Sequence, residues 1–201
     1  PQAVREMHDP PSVEAFERAR DRCMLEPLLS LQARLARSRR SGVGQARIVA
    51  VPAHAWAPVL ERMPFEPTRF QEEVLTELAR DLGRSRPMRR LLQGDVGCGK
   101  TLVGVCAAYA VVAAGAQVAF MAPTEVLARQ HHATINAFLA PLGMEARLLL
   151  GQGRSGSAER RAIMDGLANG DVQLVVGTHA LLSESVSFAN LGLAVVDEQH
   201  R

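Results

Sequence analysis

Two segments of the sequence carry residues whose types and spacing suit phosphate chemistry. The first, Gly94-Asp95-Val96-Gly97-Cys98-Gly99-Lys100-Thr101, has the form G-x-x-x-x-G-K-T. Glycines at this spacing let backbone N–H groups turn inward around phosphate oxygens. A helix starting at the end of the loop would add its partial positive charge. Lys100 would then reach the β- and γ-phosphates of a nucleoside triphosphate, and Thr101 would hold Mg²⁺. The other six residues would supply the backbone cradle. Lys100 is the only lysine in the chain; the remaining basic residues are arginines. A compact ammonium on a flexible stem suits a crowded phosphate site better than a guanidinium fork does. A chance match of a glycine-rich turn to this pattern is expected about once in a hundred chains of this length. Cys98 puts a thiol inside the loop, where bound nucleotide would shield it from alkylation.

The second segment closes the chain. An apolar run, Leu193-Ala194-Val195-Val196, leads into Asp197-Glu198-Gln199-His200. Carboxylates at the carboxyl end of a buried parallel strand lie where open α/β sheets bind ligands. Asp197 would support Mg²⁺, directly or through water, and Glu198 would orient and polarise an attacking water. A water-activating glutamate is of use to a hydrolase and not to a kinase. A solvated acidic turn after a core strand is the plainer alternative, and the loop upstream weighs against it.

These segments need a scaffold that brings them together, and the pattern of the chain supplies one. From residue 68 onward, strands and helices alternate. The spacing predicts helices over 68–82, 99–114, 125–139 and 158–168, and strands over 89–93, 117–122, 146–150, 172–176 and 193–196. Thr124 can cap the helix that follows it. Short apolar runs separated by helices indicate an α/β fold, a parallel sheet covered by helices on both faces. Before residue 62 the chain reads differently. Helical spacing covers 12–23, a second helix starts at Pro27, and a linker rich in Gly, Pro and Ala runs over 42–67 with a short strand at 48–51. The expected division is 1–62, a helical connector, and 63–201, a nucleotide-binding domain.

Composition sets outer limits. The chain has 201 residues, a hydrophobic fraction of 47% and a net charge of +2. This fits a folded domain with an appendage, and the charge alone does not argue for nucleic acid. Three cysteines make no disulfide framework, which points to a reducing, cytoplasmic setting. The longest apolar run is too short to span a bilayer. The chain opens on Pro1 rather than Met, as a fragment or a processed chain would. Aromatic residues are only 4%, which disfavours base stacking as the main grip on a nucleic acid.

Taken together the motifs resemble one family. Asp-Glu-x-His is similar to the second motif of superfamily 2 helicases. Asp197-Glu198-Gln199-His200-Arg201, preceded by Leu91-Leu92-Gln93-Gly94-Asp95-Val96-Gly97-Cys98-Gly99-Lys100-Thr101, resembles the RecG family of branched-DNA helicases. Met121-Ala122-Pro123-Thr124-Glu125 with Gln130-His131, and Val176-Gly177-Thr178-His179-Ala180, resemble further motifs of that family. Upstream, His8 to Pro11 and the 22–32 helix resemble its connector, so the likeness covers nearly the whole chain. The departures are Cys98, where the family commonly has Ser, and Pro27, where it has a helix former.

The resemblance implies a RecA-like ATP-binding domain that hydrolyses ATP with Mg²⁺ and moves along branched DNA. It implies that Phe65, Thr68 and Gln71 form the adenine-reading segment; a Gln amide can pair in two places with adenine. It implies DNA-backbone contacts at Thr124 and at Gly177, Thr178 and His179, where an ordinary helix cap and a polar turn are the plainer readings. It assigns Gln199 and His200 to coupling hydrolysis with movement. It further implies a monomer with a wedge domain and a second RecA-like domain carrying an arginine finger. An arginine finger is worth about 10³ or more in turnover, so these 201 residues alone are expected to hydrolyse ATP barely. A transcription-repair coupling translocase, a P-loop phosphotransferase and a non-catalytic DNA-binding remnant are the rival readings.

Overall fold

In a computed structural model of the chain, residues 2–41, 48–52, 54–63, 66–95, 97–151 and 157–197 are described. They fall into two compact units, Pro1–Gln45 and Ala46–Arg201.

The first unit is a pair of helices, α1 (Gln2–His8) and α2 (Val13–Ser41). Ser12 starts α2 through its hydroxyl, which accepts from the Ala15 N–H at 3.2 Å. Ala15 and Ala19 are buried in this unit. The expected break before Pro27 does not occur: α2 runs through it. Pro27 has no N–H to give the Cys23 carbonyl, a loss that usually kinks or ends a helix. Here strong helix formers on both sides, Arg22, Met24, Leu25, Glu26, Leu28 and Leu29, carry the chain across.

The second unit begins ahead of the boundary expected near 62. Residues 48–51 form no strand, but the Val49 N–H donates to the Leu82 carbonyl at 3.0 Å. Val49, Trp56 and Val59, the last in the short α3 (Ala57–Leu60), are buried in this unit's core. Next comes α4 (Arg69–Leu82), opened by a reciprocal cap. The Thr68 hydroxyl accepts from the Gln71 N–H at 3.3 Å, and the Gln71 side-chain oxygen accepts from the Thr68 N–H at 2.8 Å.

The helices α5 (Lys100–Ala113), α6 (Glu125–Leu139) and α7 (Ser157–Asn169) alternate with strands β1 (Gln117–Met121), β2 (Ala146–Leu149), β3 (Leu174–Gly177) and β4 (Leu191–Val196). The strands form one parallel sheet of order β2-β3-β1-β4. Side-chain alternation divides the core between the two faces. Val118, Phe120, Leu174 and Val176 pack with the buried residues of α5 and α6. Ala119 and Val175 pack with Ile163 and Leu167 of α7. The sheet is therefore covered on both faces, as the pattern of the sequence requires.

One expected strand is missing. Residues 89–93 form no strand, and Leu91 is 78% exposed. A strand exists only through its neighbour's N–H and C=O groups, and among the described residues the outer edge of β4 has no partner. The segment is held instead by side chains. Arg90 donates to Asp81 at 2.6 Å and to Glu77 at 2.9 Å, both on α4. That hydrogen bond holds the buried Asp81 carboxyl below the usual carboxylate range.

Gln117 clips the amino edge of the sheet. It is buried, donates to the carbonyls of Leu167 (2.9 Å) and Val172 (2.7 Å), and accepts from the Asn190 N–H at 2.7 Å. The Leu167 carbonyl keeps a second donor in the Ala189 N–H. Gln117→Leu therefore strands two groups, the Val172 carbonyl and the Asn190 N–H. It is expected to destabilise the fold by about 2 kcal/mol, read from thermal or denaturant melting.

Candidate functional site

Gly97 and Gly99 take positive φ, +81° and +86°, a backbone that suits glycine. They turn the chain from the segment before the loop into α5, and Gly99 is the N-cap of that helix. A Cβ on Gly99 would also fall 2.4 Å from Gln71 Nε2. The Lys100 ammonium folds back over the loop and donates to the carbonyls of Gly94 and Asp95, each at 2.7 Å. Its Nζ lies 3.9 Å from Cys98 Sγ. Gln71 reaches the same loop: its Nε2 donates to the Cys98 carbonyl at 3.0 Å. The predicted adenine reader and the phosphate loop are thus in direct contact, and both ends of the Gln71 amide are engaged. Thr101 lies in the first turn of α5. Val96 and Phe65 lie outside the described residues.

Asp197 follows β4, and its N–H donates to the Met121 carbonyl at the end of β1 at 2.9 Å. The turn of Ala114 to Ala116 joins the end of α5 to the start of β1, so the N-terminus of α5 lies toward the sheet's carboxyl edge. Fourteen helical residues span about 21 Å, enough to carry Lys100 along the length of β1. The contacts bear this out. A Cβ on Gly104, one turn into α5, would lie 3.2 Å from the ring of Phe120, next to last in β1. Loop and aspartate therefore share one edge of the sheet. Glu198, Gln199 and His200 lie outside the described residues.

The aspartate has a partner that sequence reading gave no role. His131 of α6 is buried, and its Nε2 lies 2.7 Å from Asp197 Oδ2. The signal was available: Ala128, His131, Ile135 and Leu139 form the buried stripe of α6. A histidine on such a stripe needs a polar partner.

The second Asp197 oxygen accepts no hydrogen bond from the described residues. With the Thr101 hydroxyl it offers the hard oxygen donors that Mg²⁺ prefers. Among the described residues no cluster of three or more His, Cys, Asp or Glu could hold a metal. A magnesium ion here would complete its shell from phosphate oxygens and water.

The segments read as DNA contacts meet at the same edge. Thr124 caps α6, accepting from the Leu127 N–H at 3.3 Å, and is exposed. The Ala122 N–H donates to the Gly177 carbonyl at 2.9 Å, which sets the turn after β3 beside the turn after β1. Gly177 itself is buried, Thr178 half-buried and His179 exposed.

The thiols differ sharply. Cys98 is exposed, whereas Cys106 in α5 is fully buried and its pKa is pushed up to about 12 by burial. A thiolate is the reactive form. Alkylation followed by peptide mass spectrometry is expected to modify Cys98 quickly, leave Cys106 untouched, and slow at Cys98 when MgATP is present. Equal Cys98 labelling with and without nucleotide would contradict this. No helix among the described residues is long and apolar enough to cross a membrane.

Comparison with known proteins agrees with this geometry. The chain is 49% identical over 181 residues to the ATP-dependent DNA helicase RecG of Acidithiobacillus ferridurans, covering 90% of this chain and 26% of that protein. It is 42% identical over 212 residues to the RecG of Escherichia coli K12, covering all of this chain and 30% of that one. A solved structure of RecG bound to a three-way DNA junction superposes with a TM-score of 0.83 at 37% identity, over 99% of this chain and 27% of that chain. The chain thus resembles RecG throughout and spans under a third of the length of these relatives. Its sheet and covering helices are those of a RecA-like α/β domain. The model of the DEAD/DEAH box helicases matches residues 68–201, two thirds of the chain, and the chain belongs to that family.

Proposed function

We propose that the protein is an ATP-dependent DNA helicase that acts on branched DNA such as forks and four-way junctions. Residues 63–201, together with the stretch from Val49 to Val59 that packs into the same core, would be its first RecA-like motor domain, and the helices before them a connector. It would work as a monomer in the cytoplasm, with a wedge domain and a second motor domain elsewhere in the protein. The observation that carries this reading is the convergence of the loop 94–101 and Asp197 on one sheet edge, in a chain 40–49% identical to DNA helicases over nearly its full length.

The parts of the nucleotide-site residues follow from their chemistry, and those of the DNA-facing and coupling residues from the family resemblance. The N–H groups at the start of α5 and the Lys100 ammonium bind the triphosphate; Lys100 exchanges the carbonyls of Gly94 and Asp95 for phosphate oxygens. Gln71 turns its amide from the Cys98 carbonyl toward an adenine base, which links base recognition to the shape of the loop. Thr101 and Asp197 hold magnesium, which when bound neutralises charge on the phosphates. Glu198 orients the attacking water and takes its proton. Thr124, Gly177, Thr178 and His179 lie along the DNA backbone, and Gln199 and His200 couple hydrolysis to movement.

The test is ATP hydrolysis by the full-length protein with and without a forked duplex. Stimulation by the fork, with strand separation that requires ATP, is expected. Turnover indifferent to DNA, or phosphate transferred to an acceptor other than water, would overturn the proposal.

A further inference from the structure

We propose that His131 is a positioning residue that fixes the Asp197 carboxylate and ties it to the DNA-facing helix α6. This rests on the functional reading above for what Asp197 and Thr124 bind.

The geometry is specific. An ionised carboxylate only accepts hydrogen bonds, so His131 Nε2 carries the proton and donates it to Asp197 Oδ2 at 2.7 Å. The imidazole is itself held in place. Its ring centroid lies 4.9 Å from that of Phe120, tilted by 45°. Phe120 in turn packs against Gly104, where any side chain would crowd it. The residues form one contact path: the first turns of the phosphate-loop helix, the β1 ring, the α6 imidazole and the carboxylate after β4. His131 lies about two turns from Thr124, the exposed cap of the same helix. A DNA phosphate that shifts the start of α6 must therefore move the donor that orients Asp197. A rigid helix carrying a contact at one end and a carboxylate clamp on its buried face is a plain physical route from DNA occupancy to magnesium binding.

The experiment uses the full-length protein and three variants. His131→Phe keeps the ring against Phe120 and removes the donor. His131→Gln keeps a donor near the Nε2 position, and His131→Asn carries one that falls short of it. Three quantities are read: the enhancement of fluorescent ATP-analogue binding by Mg²⁺, and kcat and KM for ATP with and without forked DNA. Loss of a hydrogen bond behind a metal ligand typically costs about 10–100-fold. His131→Phe is expected to lose Mg²⁺ enhancement and DNA-stimulated kcat in that range. Magnesium-free nucleotide binding and DNA affinity should stay close to those of the unaltered protein. His131→Gln should recover most of the loss. If the phenylalanine variant fails to fold, the contrast between the Gln and Asn variants decides.

Unaltered Mg²⁺ enhancement and DNA stimulation in His131→Phe would overturn the proposal. So would a His131→Gln variant as defective as His131→Asn. Failure of the functional reading looks different: the unaltered protein would show no response to DNA, while the Mg²⁺ arm would still report on His131.

Discussion

Replacing Lys100 by Ala is expected to lower DNA-stimulated ATP hydrolysis by the full-length protein about 10³-fold, with melting temperature and DNA affinity nearly unchanged. Removing one neutral donor from a preorganised anion site costs about 10²–10³ in turnover. Lys100 brings a full charge, which places it at the upper end. Its folded-state partners are the carbonyls of Gly94 and Asp95, and both lie in an exposed loop. Water can replace the ammonium there, so the fold loses little. Lys100→Arg is expected to recover little activity, because a planar fork does not fit where a point charge must approach several oxygens at once. Turnover of Lys100→Ala within about 10-fold of the unaltered enzyme would remove the ammonium from the chemistry.

The second large effect is on stability. Gly177→Ala is expected to destabilise the motor domain by about 3 kcal/mol, the upper end for overpacking a core. Gly177 ends β3 and is buried between β1 and β2. A Cβ there would fall 2.3 Å from the Leu149 carbonyl of the neighbouring strand and 3.0 Å from Leu181. The carbonyl cannot withdraw without disturbing the sheet. A fall in melting temperature of roughly 6–12 °C follows for a domain of this size, and an unchanged melting temperature would contradict the packing. The substitution also separates two roles for the Gly177-Thr178-His179 turn. Thr178→Ala and His179→Ala should weaken DNA binding without lowering stability, whereas Gly177→Ala should act on stability first.

What the sequence made legible was local. The bounds of α6 are those predicted, because Thr124 supplies a cap and Ala128, Ile135 and Leu139 mark one helical face. The four strands of the sheet coincide with short apolar runs, and the start of α5 follows from the glycine pattern of the loop. Most of the misses involve partners distant in sequence. Residues 89–93 have the composition of a strand, but pairing belongs to two segments, and the described residues supply no neighbour. Pro27 signals a helix start locally, yet the flanking residues favour helix strongly enough to run through it. Gln117 reads as the first residue of a strand; its contacts lie 50, 55 and 73 positions away. His131 and Asp197 stand 66 positions apart, so the carboxylate could be read as an acidic motif but not as one already held by an imidazole. The contact between Gln71 and the loop, 27 positions on, was foreshadowed only by the family resemblance.

The most direct test of the central claim is a crystal structure of the full-length protein with Mg²⁺ and a non-hydrolysable ATP analogue. The expected result has the phosphates wrapped by the N–H groups of residues 97–101, with Lys100 Nζ moved from the Gly94 and Asp95 carbonyls onto phosphate oxygen. The Asp197 carboxylate should reach the magnesium directly, at about 2.1 Å, or through one bound water. A nucleotide seated away from this loop, or an Asp197 carboxylate too remote to reach the metal even through water, would contradict it.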